Sequence, residues 1–232
     1  MANELAIMAI QAAALFQLDA AGRLLAVNES GAPTAPRLFI GRTTEGILWH
    51  CRHDLPASLV NGIDALLAAE PPSAELSVPL HCNEQLRGLL NAHAPITSVW
   101  SGPAWWCPEG IAAPRPVGTT QSTDGAAMAK HFPGWARDFA NCQPCIAVLD
   151  GGDAVAVCCS SRLSTDAAEA GTDTLPDYRG RGYAASAVAA WATAIRATGR
   201  LPLYSTSWDN VASQGVARTL GLVGYGADLS FT

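Results

Sequence analysis

Hydrophobic spacing divides the chain into segments of helical and of strand period, punctuated by Gly, Pro and Asn or Asp. Residues 4–15 predict an opening helix. Leu15-Phe16-Gln17-Leu18 and Leu24-Leu25-Ala26-Val27, joined by a turn over Asp19 to Gly22, predict a hairpin. Two further short strands are expected at Arg37 to Gly41 and Ile47 to Cys51, meeting near Glu45-Gly46. Asp54 is placed as the cap of a helix with Pro56 in its first turn. Its buried stripe is Leu59, Ile63, Leu66 and Leu67, and Pro71-Pro72 ends it. A second helix over Glu84 to Asn91 turns Leu86, Leu89 and Leu90 inward, and Ile96 to Trp100 returns as a strand.

The stretch Ser101 to Pro116 holds four prolines and two glycines and is the best boundary candidate, although Trp105, Trp106 and Cys107 mark it as packed. We therefore expect an α+β domain of unassigned type over residues 1–112 and a second domain over 113–232. In the second, Val117 to Thr120 reads as a strand and Ala126 to Phe139 as a helix interrupted at Pro133-Gly134. Ile146 to Leu149 and Ala154 to Cys159 read as a hairpin around Gly151-Gly152-Asp153. A strand from Glu169 to Thr174 leads into Arg179-Gly180-Arg181-Gly182-Tyr183-Ala184. A helix follows with Ala184, Val188, Trp191 and Ile195 on one face, closing at Gly199. Leu203 to Ser207 is the next strand. Asp209 or Asn210 caps a helix with Ala212, Val216 and Leu220 inward and Gly221 after its end, and Tyr225 to Phe231 is the last strand.

Composition narrows the picture. The 232 residues suit one large domain or two small ones, and 49% hydrophobic against 15% charged excludes a disordered chain. Net charge is −6, Lys130 is the only lysine, and no basic run exists to neutralise phosphates, so a nucleic-acid partner is not expected. The first residues lack a basic stretch and the apolar run breaks at Gln11, so neither a secretory signal nor a membrane span is expected. Seven cysteines, an odd number, fit reduced thiols in a cytoplasm better than a disulfide framework.

Strand, Gly-rich turn and helix together make an anion site. The first amides of a helix have no intrahelical partner and carry about half a positive charge. Gly180 and Gly182 let a ligand approach the backbone, and Arg179 and Arg181 add forked donors suited to phosphate. The Lys-[Ser/Thr] pair of a Walker loop is missing, and so is the three-glycine Rossmann spacing.

This loop resembles motif A of the GNAT superfamily of acyl-CoA-dependent N-acetyltransferases, [Arg/Gln]-x-x-Gly-x-[Gly/Ala], with Arg179, Gly182 and Ala184 at its fixed positions. Glu169 to Thr174 is similar to the family's fourth strand, Gly182 to Thr198 to its third helix, and Tyr204 to Trp208 to its fifth strand. Asn210 to Ser213, followed by Leu220-Gly221-Leu222, is similar to motif B. The resemblance covers roughly residues 115–231. It implies an α+β fold in which a mixed twisted sheet is flanked by helices, and transfer of an acetyl group from acetyl-CoA to an amine in a ternary complex. It also implies coenzyme A contacts at Thr172, Asp173, Thr174, Arg179, Gly180, Arg181, Gly182, Tyr183, Ala184, Asn210 and Ser213. Pantetheine would pair with the fourth strand near Thr172 and Thr174, and the thioester carbonyl would meet an amide near Thr172. Glu169 stands where the family often places a general base, and Asp166 is a more distant reserve. Uninterrupted alternation places Glu169, Gly171 and Asp173 on one face, an assignment that a bulge would swap.

The resemblance has one departure. The family's tyrosine in the last helix corresponds to Ala217, so coenzyme A leaves as a thiolate, or Ser213 or Tyr204 supplies the proton, or the protein is an inactive acyl-CoA-binding regulator. The acceptor is a small-molecule or peptide amine. The first 112 residues are a module for acceptor specificity or dimerisation, giving a homodimer, or a degenerate copy of the same fold.

Other residues admit plainer readings. Cys142-Gln-Pro-Cys145 invites a redox or zinc role, and a two-residue turn at Gly151-Gly152 sets Cys145 opposite Cys158; inert core thiols and no metal are the expectation. On a strand His50 and His53 point to opposite faces, which argues against a shared metal. Trp49, Trp100, Trp105, Trp106 and Trp135 are expected to pack between the halves rather than to line an acceptor pocket.

Overall fold

The computed structural model describes residues 3–114, 118–122 and 125–232. Asn3 caps α1 (Glu4–Leu15) by accepting from the Ala6 amide, and the hairpin β1 (Phe16–Leu18) and β2 (Leu24–Val27) follows as a two-stranded sheet. β3 (Leu38–Thr43) and β4 (Gly46–Cys51) are a second hairpin, then come α2 (Ala57–Ala68) and α3 (Asn83–His93). Pro56, not Asp54, occupies the cap of α2 and gives it no side-chain bond; Asp54 instead accepts from Arg52 at 2.7 Å. β5 runs Val99–Trp106, so the Pro- and Gly-bearing stretch expected as a boundary begins inside a strand.

β6 is Gly118–Gln121; Val117, expected at its start, lies outside the described residues. The helix expected over Ala126 to Phe139 is two short ones, α4 (Ala126–Ala129) and α5 (Pro133–Arg137), because Pro133 restarts the chain at a first-turn position. β7 (Cys145–Asp150), β8 (Asp153–Leu163), β9 (Ala167–Thr174), α6 (Tyr183–Ala197), β10 (Leu201–Ser205), α7 (Val211–Leu220) and β11 (Val223–Phe231) complete the order.

Nine strands form one mixed sheet in the order β4-β3-β11-β5-β10-β9-β8-β7-β6. β5 therefore lies between β10 and β11, and the strands on both sides of residue 112 are hydrogen-bonded to one another. β9 and β10 are parallel; every other pair in this sheet is antiparallel. Side-chain alternation sends Ala167, Leu203 and Ala104 toward α1, and Ala168, Ala170 and Tyr204 toward α6, whose Val188, Trp191 and Ile195 are fully covered. α4 and α5 lie over β7 and β8 on the α1 side, and α2 and α3 cover Leu38, Ile40 and Phe231 on the α6 side.

Three bulges adjust the register of the nine-stranded sheet. One at Val155 brings Cys159, rather than the expected Cys158, opposite Cys145, because the extra residue shifts the hairpin pairing by one. One at Tyr225 turns that ring under α1, and one at Ser161 falls in β8 opposite Glu169 and Ala170. The last leaves β9 itself regular. Trp105 and Trp106 pack on opposite faces of β5, and Trp49 donates to Asp64 at 2.7 Å. His50 and His53 each reach a backbone carbonyl, of Gly22 at 2.7 Å and Leu24 at 3.1 Å, so both serve the hairpin rather than a common ion. Among the described residues no helix is long and apolar enough to cross a membrane.

The insertion of β5 leaves no room at Gly102, where a Cβ would stand 1.7 Å from the Thr206 carbonyl oxygen. Gly102→Ala is expected to cost about 2–4 kcal/mol, since backbone must move. Thermal unfolding of the variant checks this, and an unchanged midpoint would refute the close approach.

Candidate functional site

The parallel ladder between β9 and β10 is only three residues long, Leu201↔Ala167, Pro202↔Ala168 and Leu203↔Glu169. Beyond Glu169, β9 continues to pair with β8 as far as Thr174, while β10 continues along β5. The two strands part there, and the inward edge of β9 is left without a strand partner.

A cavity of about 540 Å³ opens at this parting on the α6 side. It is lined by Thr172, Asp173 and Thr174 of β9, by the turn Arg179-Gly180 with Gly182, Tyr183 and Ala184, and by Asn210 and Ser213 of the α7 end. Ten of the eleven sequence-expected contact residues thus meet in one place; Arg181 is outside the lining and lies over the Tyr178 ring at 5.3 Å. Local chemistry explains the turn. Gly180 and Gly182 hold φ values of 71° and 82°, the left-handed region that a side chain disfavours. Gly182 caps α6 with no side chain, so nothing of that kind covers the amides of the first turn. Arg179 folds back to donate to the Thr174 carbonyl at 3.3 Å, tying turn to strand. The Asn210 side chain caps α7 by accepting from the Ser213 amide at 3.0 Å. Thr174 Oγ1 is buried with no hydrogen-bond partner, an unmet donor and acceptor at the cavity wall.

Ala217 is 1% exposed and belongs to the core under α6, whereas α7 faces the cavity with Ala212, Ser213, Gly215, Val216 and Thr219. The other sequence candidate for a proton donor, Tyr204, is also buried; its hydroxyl reaches the Ser213 carbonyl at 3.4 Å, and burial pushes its pKa up to about 12. Asp166 sits exposed in the turn before β9.

Glu169 occupies the last pair before the strands part and faces α1. It is 3% exposed; Ser205 Oγ donates to its Oε1 at 2.6 Å, and Oε2 has no partner. Burial raises its pKa to about 7, opposed by the Ser205 bond and assisted by the negative charge of Asp228. Asp228 of β11 is likewise buried and raised to about 6, again by desolvation, while accepting from Trp100 Nε1 at 3.1 Å and Gln11 Nε2 at 3.2 Å. Arg162 of β8 feels both carboxyls and pairs with Glu29. Gln11 Oε1, Arg162 Nε and the Tyr225 hydroxyl are further buried atoms without partners around this pair. Such a concentration of unmet polar atoms marks a place built to receive something polar.

Two openings lie on the α1 side. A pocket of about 290 Å³ under α1 is lined by Phe16, Phe39, Trp100, Arg162, Ser205 and Asp228 among others. A wider cleft of about 620 Å³ lies between α5 and β9, walled by Trp135, Ser161, Asp173 and Thr174. Trp135 fills the space over Gly171, and its Nε1 donates to Asp173 at 2.9 Å. Glu169, Gly171 and Asp173 therefore share a face as alternation predicted. Trp100 and Trp135, expected as packing residues, line these openings. The sequence reading missed Asp228, Ser205, Gln11 and Tyr225; the one signal available was a carboxylate interrupting the apolar last strand.

Residues 123–225 match the family model described as GNAT acetyltransferase. Three solved structures share the fold. A GNAT-family protein from Novosphingobium aromaticivorans is 19% identical over 59% of this chain and 65% of its own, with a TM-score of 0.50. An acetyltransferase from the GNAT family of Colwellia psychrerythraea is 13% identical over 83% and 80%, with a TM-score of 0.51. A GCN5-related N-acetyltransferase-like protein from Streptococcus suis is 14% identical over 89% and 87%, with a TM-score of 0.50. No curated protein matches the chain. Residues 123–225, in the C-terminal part of the chain, carry this match to the GNAT acetyltransferase family model, and the chain shares the fold of these structures, a mixed sheet flanked by helices.

The raised pKa of Glu169 has a consequence for stability. A folded pKa above the unfolded value means that its contribution is intact below about pH 4.5 and is lost as pH rises through about 7. Glu169→Gln removes that loss, so the variant should gain on the order of 3 kcal/mol relative to the parent at pH 8 and much less at pH 5. Unfolding curves at the two pH values check this; an equal difference at both would show that the carboxyl is ionised without penalty.

Proposed function

We propose that this protein transfers an acetyl group from acetyl-CoA to an amine, with Glu169 as the base. The observation that carries the reading is a buried carboxyl with one unpartnered oxygen and a pKa near neutrality, standing where two parallel strands part beside a glycine-turn cavity.

The cavity suits coenzyme A by its chemistry. Amides from Gly180 to Ala184 receive the pyrophosphate, with Arg179 and Arg181 adding charge. The pantetheine arm adds to the open edge of β9 near Thr172 and Thr174, as an extended ligand adds to any unpaired strand. Its thioester carbonyl then accepts from a backbone amide near Thr172, which stabilises the oxyanion that forms on attack.

The amine arrives from the α1 side. An alkylammonium has a pKa near 10.4, and a base with pKa near 7 takes its proton directly or through water while being about half ionised at neutral pH. The freed nitrogen attacks the carbonyl carbon, the C–N bond forms, and the tetrahedral adduct collapses with cleavage of the C–S bond. A thiol pKa near 8.5 lets the sulfur depart as thiolate and take up the remaining proton without a dedicated acid. In this reading Asp228, Trp100 and Arg162 set the polarity of the acceptor side; Trp100, Phe16 and Phe39, all from the first 112 residues, line the same pocket and support a part for that segment in its wall. A non-catalytic acyl-CoA-binding role is the second reading, favoured by Ala217 facing the core and by α7 offering only the hydroxyls of Ser213 and Thr219 to the cavity.

Acetyl-CoA titrated by calorimetry should bind, and release of free thiol over an amine panel should follow. Binding without thiol release from any amine supports the second reading, and absence of binding refutes both. With an active amine, Glu169→Gln should lower kcat/KM at pH 7 by about 10²–10⁴-fold and abolish the acidic limb near pH 7. Asp228→Asn removes a neighbouring negative charge and should move that limb to lower pH; an unmoved limb would separate the two carboxyls. Arg179→Ala should weaken acetyl-CoA binding by roughly tenfold while leaving the limb in place.

A further inference from the structure

Away from this site, four sulfur atoms converge beneath α4 and α5. Cys142 and Cys145, at the start of β7, hold their Sγ atoms 3.3 Å apart, and the Sγ of Cys159 on β8 lies within 4.8 Å of both. Met128 of α4 brings its Sδ to 3.9 Å from Cys159 Sγ. All four residues are buried, in a cluster with Phe132, Ala147, Ala154 and Val157.

We propose that Cys142, Cys145 and Cys159 form a binding site for a single thiophilic d¹⁰ metal ion, Zn²⁺ or Cu⁺, with Met128 as a neighbouring thioether. Thiolates about 2.3 Å from a common ion stand roughly 3.8–4.0 Å from one another, and at most about 4.6 Å. Separations between 3.3 Å and 4.8 Å bracket that spacing, so the sulfurs need move only by tenths of an ångström. Two of the ligands come from one Cys-x-x-Cys turn and the third from the neighbouring strand, the usual way a small site is closed by distant parts of a chain. The bulge at Val155 is what makes this possible, since it sets Cys159 rather than Cys158 against Cys145. A disulfide between Cys142 and Cys145 would use two of the sulfurs and give no role to the convergence of the other two.

In the thiol form the sulfurs have only weak partners, the Trp135 and Phe139 carbonyls at 3.8 Å from Cys142 and the Cys142 carbonyl at 3.2 Å from Cys145. On coordination each thiol releases its proton to solvent and each sulfur gives a lone pair to the ion, with no change in oxidation state. The ion would clip β7 and β8 to the segment carrying α4 and α5. Phe132, Pro133, Gly134 and Trp135 of that segment wall the cleft beside β9, so the clip would fix one side of the acceptor approach. The inference rests on the sulfur geometry and is independent of the transferase reading.

The full chain, reduced and stripped of metal, should be titrated separately with Zn²⁺ and with Cd²⁺. The expected result with Cd²⁺ is a thiolate-to-metal charge-transfer band that saturates at one ion per chain with release of about three protons. Saturating Zn²⁺ should raise the unfolding midpoint by roughly 5–10 °C. Cys159→Ala should lose the band; if that variant does not fold, X-ray absorption of the loaded parent should count at least three sulfurs at about 2.3 Å. A folded parent giving no band overturns the proposal. So does a Cys159→Ala variant that still binds one ion, or a count of two sulfurs or fewer. A parent whose mass is lower by two hydrogens, with Cys142 and Cys145 unreactive until reduced, overturns it in favour of a disulfide.

Discussion

The site depends on the place where β9 and β10 cease to be neighbours. Each is held on its other side by a longer ladder, β9 by β8 and β10 by β5, so their own parallel pairing survives for only three residues. Strand twist accumulates along those two ladders, and the gap between them widens from Glu169 onward. A gap inside a sheet leaves backbone donors and acceptors without partners, which costs free energy unless water or an extended ligand meets them. The same gap fixes the carboxyl: Glu169 is the last residue still shielded by the closed part of the sheet and the first beside the open part. Its burial and its place beside the opening have one origin.

The remaining buried charges show what an ordinary structural solution looks like in this chain. Arg37 donates to the carbonyls of Leu90, Ala94, Pro95 and Thr232, binding the end of α3 to the residue that follows β11. Arg42 does the same with Leu76 and Val78. Each guanidinium is buried and well supplied with acceptors, as burial of charge requires. The pair Glu169 and Asp228 is not supplied in this way. Two carboxyls are held together in a buried place, with a carboxyl oxygen, a hydroxyl and a guanidinium nitrogen around them that have no hydrogen-bond partner. A fold that satisfies Arg37 and Arg42 this fully is under no general constraint to leave those atoms unmet, and the deficit falls at the parting of the strands.

Local signals in the sequence were enough for the turn at Gly180 and Gly182, for α6 and α7 with their caps, and for the hairpins, because each depends on residues within a few positions. That sufficed to bring ten of the eleven expected contact residues together around the α6-side cavity. What was not legible depends on distant chain. Nothing in Val99 to Trp106 announces that this strand, with Gly102 and Pro103 inside it, will lie between β10 and β11; only the missing partner of β10 requires it. Asp228 comes within electrostatic reach of Glu169, and Trp100 bonds Asp228, through that insertion, across separations in sequence that no periodicity encodes. The bulge at Val155 shifted a thiol by one position because the extra residue lies beyond the turn whose glycines could be read. Asp54 illustrates a different failure: Arg52, two residues away, offered the carboxylate a better partner than the helix amides did.

Regular alternation in β9 lets one strand serve two faces. Thr172 and Thr174 line the α6-side cavity, while Glu169, Gly171 and Asp173 look toward α1 and α5. In the proposed reaction the thioester reaches the parting from one face and the amine from the other, so the carbonyl is approached on the side away from its carrier. This division survives only if β9 keeps its period of two between positions 169 and 174. An extra residue there would send Glu169 to the coenzyme side and Thr172 to the acceptor side. The sheet must still absorb strain beside the gap, and it does so one strand over: Ser161 is the unpaired residue in β8, and its hydroxyl donates to the Glu169 carbonyl at 3.1 Å. Placing the irregularity in β8 leaves undisturbed the strand whose alternation separates the two faces, and the hydroxyl of the bulged residue steadies the backbone that carries Glu169.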